Sequence, residues 1–142
     1  KKALSIGLLP VVCIGETKEE RKAGHTEEII KKQMTGSLKE ISKNDILNIT
    51  IAYEPVWAIG TGDTATPEQA EEVHIYVRKL ISDLYNTDIA DKVRIQYGGS
   101  VKPDNMSELI MQKNIDGGLV GGASLKAESF VKIVNSCKSY LA

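Results

Sequence analysis

Four short strand-like runs, each followed by a loop and then a helical stretch, constrain this chain more than any other feature. They cover residues 8–14, 48–53, 92–97 and 116–120. Strands that alternate with helices in this way lie parallel, and each crossover is right-handed. Residues 8–14 are continuously apolar with Pro10 near the start, the pattern of a strand covered on both faces. The next strand places Ile49, Ile51 and Tyr53 on one face. On pattern alone a small doubly wound sheet and part of a barrel both fit, although no Gly-x-Gly-x-x-Gly fingerprint follows any strand. A complete eight-unit barrel needs roughly 250 residues. Four units in 142 residues make half of one.

The helices have their own signals. Residues 1–6 read as the end of a helix stopped by Gly7, so the chain is expected to begin part-way through a longer fold. Residues 18–23 form a charged helical stretch ended by Gly24. Thr26 can cap the next helix, whose apolar positions are Ile29, Ile30, Met34, Leu38 and Ile41, with Gly36 as an interruption. Thr66, Pro67 and Gln69 form a capping box with proline at the first helical position. The helix from Pro67 to about Tyr85 should bury Ala70, Val73, Val77, Leu80, Ile81 and Leu84, with His74 at the boundary of that stripe and His25 at the surface. A further helix starts near Pro103 with Leu109 and Ile110 inward. The last presents Phe130, Ile133, Val134 and Cys137. The lysines and glutamates between residues 18 and 41 read as a solvated face.

Composition narrows the function. Eighteen basic residues balance 19 acidic ones, with no basic stripe, which argues against nucleic acid and anionic membrane as partners. The longest apolar run is far too short to span a bilayer. Cys13, inside a strand-like run, and Cys137, in a late helix, read as reduced core thiols of a cytoplasmic protein rather than a disulfide or metal site. The two Asn-x-Ser/Thr matches, at Asn48 and Asn105, read as chance.

The chemistry gathers at strand ends, where barrel enzymes build their sites. Glu54 closes the second strand. After it, Pro55-Val56-Trp57-Ala58-Ile59 is unusually apolar for a solvated loop, Gly60 and Gly62 form its tip, and Pro67 closes it. Stiff ends around an adaptable middle suit a lid that folds over a ligand. Gly98-Gly99-Ser100 follows the third strand and Gly121-Gly122 the fourth. Glycines ahead of helices let an anion approach backbone N–H groups, and two such loops in the last two units point to a phosphorylated substrate.

Residues 53–67 resemble the catalytic glutamate and mobile lid of the triosephosphate isomerase family, and the likeness runs from Leu8 to the C-terminus. It implies an α/β fold, the (β/α)₈ TIM barrel, with residues 1–142 as the C-terminal four βα units of a single domain. It also implies an aldose–ketose isomerase of glycolysis and gluconeogenesis that interconverts dihydroxyacetone phosphate and glyceraldehyde 3-phosphate, with no cofactor and no metal. Glu54 is then the base, and Gly60, Ser100, Gly121 and Gly122 give the phosphate its N–H groups. Glu16 is the hinge partner of Trp57, beside Pro55. Tyr97 and Ser100 hold the closed lid, and Ile59 and Leu119 form an apolar clamp that desolvates Glu54.

This sequence departs from the family at Gly118, where a phenylalanine is expected, and at Asp63, where many members carry lysine. The family's asparagine, lysine and electrophilic histidine belong to the N-terminal half, and neither His25 nor His74 replaces that histidine. The resemblance therefore implies a chain inactive alone, partnered by the N-terminal half and forming a homodimer or a higher oligomer when complete. A non-catalytic half-barrel that self-associates through open sheet edges is the alternative. Another phosphate-binding barrel enzyme, an epimerase or synthase, fits the lid less well.

Overall fold

Three parallel strands form the centre of the computed structural model, which describes residues 1–61 and 63–138. In chain order its elements are α1 (Lys2–Ser5), β1 (Val11–Ile14), α2 (Lys18–Lys22), α3 (Thr26–Ser37), β2 (Thr50–Tyr53), α4 (Pro67–Leu84), α5 (Thr87–Ala90), β3 (Ile95–Tyr97), α6 (Met106–Ile110) and α7 (Ala127–Lys138). The sheet order is β1-β2-β3, with Ile14 opposite Tyr53 and Tyr53 opposite Tyr97. The expected α/β class and parallel βα repeat are present.

Each strand is shorter than its local pattern suggested. Leu8, Leu9 and Pro10 precede β1, and Asn48 lies in a 3₁₀ turn, Asp45–Asn48. The fourth strand contracts to one bridge, Tyr97 with Gly118. Its rungs nonetheless continue the register: Asp116 N–H donates to Ile95 O at 2.9 Å, Tyr97 N–H to Gly117 O at 2.9 Å, and Leu119 N–H to Tyr97 O at 2.9 Å. Strand length reflects how many neighbours offer a rung, and β3 is the one neighbour this segment has among the described residues.

One sheet face carries the core. Ile14, Ile51, Tyr53, Ile95 and Tyr97 pack beneath the helices with Ile30, Met34, Val77 and Ile81. Burial of this apolar surface is the main stabilising term, at about 25 cal/mol per Å² removed from water. The opposite face corrects the expectation of a strand covered on both sides. Leu9, Val11 and Cys13 are exposed there, so Cys13 is not a core thiol. A closed barrel fills that face with side chains from its other strands.

Four helix expectations also change. Thr26 is the first residue of α3, which His25 precedes at the N-cap without a side-chain bond. Helix α6 begins at Met106, three residues beyond Pro103, because the Asn105 carboxamide accepts from Lys102 N–H at 2.8 Å and holds those residues in a turn. Leu84 is exposed at the end of α4, and Phe130 and Val134 are exposed on α7, leaving Ile133 as that helix's buried residue. His74 is fully buried rather than at a boundary. The Thr66–Gln69 capping box and Pro67 at the start of α4 are as expected, and His25 is exposed beside Glu28. No helix among the described residues is long and apolar enough to cross a membrane.

A polar network stands in for the missing rungs near the fourth strand. Arg78 of α4 donates to Ala90 O, Val93 O, Asn114 Oδ1, Asn114 O and Asp116 Oδ2, the last at 2.7 Å. Asp116 Oδ2 also accepts from Ile95 N–H at 2.7 Å, and Glu71 accepts from the Asn114 amides.

Candidate active site

Glu54 follows the last residue of β2, where its backbone is held from both flanks. Its N–H donates to Ile14 O at 2.7 Å, and Gly98 N–H donates to Tyr53 O at 2.8 Å. The flanking glycines are steric necessities. A Cβ on Gly15 would run into Glu54 O, and one on Gly98 would lie 2.5 Å from Glu54 Cγ. Gly15 is itself fixed by a side chain the sequence reading did not single out. The Gln33 carboxamide of α3 accepts from Gly15 N–H at 2.8 Å and donates to Gly15 O at 2.9 Å. The Glu54 carboxyl thus sits half-buried at the sheet's C-terminal edge, on a backbone with little freedom.

Cys13, one strand over, faces the same carboxylate. Partial burial, then the hydrogen bond and charge of Glu54, push its thiol up to about 11, so it stays neutral near pH 7.

A cleft of about 470 Å³ opens beside Glu54. Ile59 and Gly60 line it from the loop after β2, Ser100 and Lys102 from the loop after β3, and Leu119, Gly121 and Gly122 from the loop after the bridge residue Gly118. The structure therefore brings seven of the predicted site residues together: Glu54, Ile59, Gly60, Ser100, Leu119, Gly121 and Gly122. Lys102, a charged side chain in the lining, was not singled out from the sequence. Gly60 has φ +68°, the left-handed region that favours glycine. A Cβ at Gly121 or Gly122 would meet nothing within 4 Å, so their backbone faces open space.

The remaining predicted residues lie behind the cleft. Glu16 is fully buried and accepts from Trp57 Nε1–H at 3.0 Å, from the Tyr53 hydroxyl at 3.1 Å and from Arg21 at 3.0 Å. The Arg21 guanidinium also stacks 5.0 Å from the centroid of the Trp57 ring. Pro55 is buried, and Val56 N–H donates to Glu16 O at 3.0 Å. The root of the loop is thus tied to the residues just before α2. Ile59, by contrast, is 48% exposed, so it does not yet close against Leu119 over Glu54.

Tyr97 is buried with its hydroxyl lacking a hydrogen-bond partner among the described residues. Burial raises its phenol above the ordinary range, partly offset by Arg21 and by the Ala65 backbone N–H, which comes near the hydroxyl without the geometry of a hydrogen bond. Gly62, expected at the tip of the loop, lies outside the described residues. Asp63, on the outer side, pairs with Lys18 at 2.8 Å. At Gly118 the space of a Cβ is bounded by Met106 Sδ at 3.3 Å and Val101 Cγ1 at 3.6 Å. Those two side chains pack where the expected aromatic is lacking.

Comparison with known proteins bears on this arrangement. The family model described as "Triosephosphate isomerase" matches residues 1–137. Among the relatives are the triosephosphate isomerases of Chloroherpeton thalassium, 51% identical over 97% of this chain, and of Ligilactobacillus salivarius, 55% identical over 95% of it. That of Chlorobium phaeobacteroides is 58% identical over 96%. The matches cover 55%, 55% and 54% of those relatives, so the chain spans about half the length of the curated relatives it matches. With a family model spanning nearly every residue, and relatives more than half identical, the chain belongs to the triosephosphate isomerase family.

Proposed function

We propose that this chain supplies the base and the phosphate grip of an isomerase that interconverts dihydroxyacetone phosphate and glyceraldehyde 3-phosphate. The observation that carries the reading is the single cleft in which Glu54 faces the backbone of Ser100, Gly121 and Gly122. A triose phosphate lying across it has its reacting carbons at the carboxylate and its phosphate against the glycine loops.

In this reading Glu54 removes a proton from one carbon, the enediolate forms, and the proton returns to the adjacent carbon. Carbon is a weak acid, so the carboxylate needs raised basicity, and exclusion of water provides it. The loop carrying Ile59 and Gly60 is the lid that does so. Closing it brings Gly60 N–H to the phosphate and packs Ile59 against Leu119 over Glu54. The unpaired Tyr97 hydroxyl supports this, since it has a donor to offer the lid's backbone. Ser100, in the loop that follows β3, can do likewise. The Glu16–Trp57 bond belongs to the open position and is exchanged on closure. A closed lid also retains the enediolate's phosphate, which would otherwise leave.

The complementary half of the barrel supplies the groups that stabilise the developing oxyanion, so this chain alone turns over little substrate. Loss of one such donor commonly costs ~10²–10³ in rate. No cofactor or metal is required by this chemistry. The complete enzyme is a cytoplasmic homodimer of glycolysis and gluconeogenesis, in line with its family. The test joins this chain to the complementary half from one of the relatives above and follows isomerisation of glyceraldehyde 3-phosphate. Turnover that is lost in Glu54→Gln supports the reading; a folded barrel without turnover sinks it.

One observation favours a second reading. The exposed β1 face with Leu9 and Val11 could instead seat a second copy of the chain, giving a non-catalytic half-barrel oligomer. Stable self-association that persists when the complementary half is supplied would support it.

A further inference from the structure

Lys102 is the one cationic side chain lining the cleft among the described residues, and Glu54 is its one carboxylate. A phosphate dianion entering there meets backbone dipoles on the glycine loops and repulsion from Glu54. Backbone N–H groups fix an anion's position, but only a full charge opposes that repulsion at a distance.

The backbone of Lys102 is held in place while its side-chain charge stays free. Its N–H donates to Asn105 Oδ1 at 2.8 Å, and its carbonyl accepts from Asn105 N–H at 3.3 Å and Met106 N–H at 3.1 Å. Asn105 Nδ2–H also donates to Ser100 O at 2.8 Å, so one carboxamide spans both residues. Val101 between them is buried and anchors the segment to the core. Lys102 itself is exposed, and among the described residues no carboxylate pairs with it.

We infer that Lys102 recruits and helps hold the phosphate of the substrate, with Asn105 as the positioning residue that fixes the backbone from which Lys102 and Ser100 both project. The inference rests on the isomerase reading of the cleft and adds to it a side chain that discriminates for the dianion. A neutral triose gains nothing from Lys102, so the residue also sharpens the choice of phosphorylated over unphosphorylated substrate.

The test uses the complete barrel, this chain joined to its complementary half, with inorganic phosphate as probe and dihydroxyacetone phosphate as substrate. Lys102→Gln should weaken phosphate binding and raise KM roughly five-fold at low ionic strength, the scale of one solvent-exposed charge contact. The gap should close near ~0.5 M salt, where screening removes it. Lys102→Arg should restore the low-salt value, and KM for unphosphorylated glyceraldehyde should stay the same in every variant. Equal phosphate affinity in Lys102→Gln and the parent at low salt overturns the inference. So does a loss of equal size at both salt concentrations, which would mark a structural effect. A parent barrel that binds no phosphate overturns the isomerase reading as well, whereas a parent that binds while Lys102→Gln binds equally overturns Lys102's role alone.

Discussion

Glu54 lies along the bare backbone of Gly98, so closely that a methyl group there would sit 2.5 Å from its Cγ. Gly98→Ala must therefore swing the carboxylate or push the β3 loop outward. In the complete barrel kcat should fall about 10²-fold, the cost of a displacement near 1 Å. KM should change far less. Steady-state kinetics beside a thermal melt separates this from unfolding.

Gly36 is the opposite case. It is inside α3 and a Cβ there meets nothing within 4 Å. Gly36→Ala should stabilise the fold by ~0.5–1 kcal/mol through reduced freedom of the unfolded chain. Denaturant unfolding would show the midpoint rising with an unchanged slope.

Arg78 ties α4 to two other stretches of the chain, residues 90–93 and 114–116. Arg78→Met keeps the aliphatic stem but takes the guanidinium donors from the Ala90 and Val93 carbonyls, and leaves Asn114 O with His74 and the Asp116 carboxylate with Ile95 N–H. A loss of about 3 kcal/mol is expected. Hydrogen exchange should locate it at residues 114–119, and a loss spread evenly over the sheet would contradict the assignment.

His74 makes stability depend on pH. Burial lowers its pKa to about 4 from an ordinary 6.5, and its Nδ1–H donates to Asn114 O at 3.1 Å. Because the folded value lies below the unfolded one, the neutral ring contributes stability above pH 6.5, and that stability is lost as pH falls from 6.5 toward 4. His74→Gln should flatten that part of the stability profile in chemical denaturation. An unchanged slope over that window would count against a buried neutral ring.

Lys18 and Asp63 make an exposed pair on the outer side of the lid. Asp63→Lys places like charges together there, yet water screens both groups. The melting temperature should not move measurably. Trp57 fluorescence should shift, because the outer face of the loop loses one of its ties while the Glu16 bond remains.

What the sequence made legible was local. A strand-end carboxylate, glycine pairs and a capping box are read within a few residues; the capping box forms at the start of α4, and Glu54, Gly60, Ser100, Gly121 and Gly122 line one cleft. The strand limits were overextended because residue type does not reveal where a neighbour stops offering rungs, as at Leu8 and Leu9. The ties between distant segments were invisible for a related reason. Gln33, Glu71 and Arg78 look like any solvated helix face until the fold sets Gly15 and Asn114 opposite them. His74 was readable in principle. It stands four residues after Ala70 and three before Val77, inside the apolar stripe, and only its polarity argued for the boundary.

The reciprocal bonds between Gln33 and Gly15 carry a consequence for how this unit can change in length. One residue inserted between Thr26 and Gln33 would turn the carboxamide about 100° around the helix, away from the loop it braces. An insertion at Gly24, in the turn before α3, leaves that facing intact. Descendants of this chain can therefore vary in length at the turn while the first seven positions of α3 stay counted, because that count keeps the ground beneath Glu54 still.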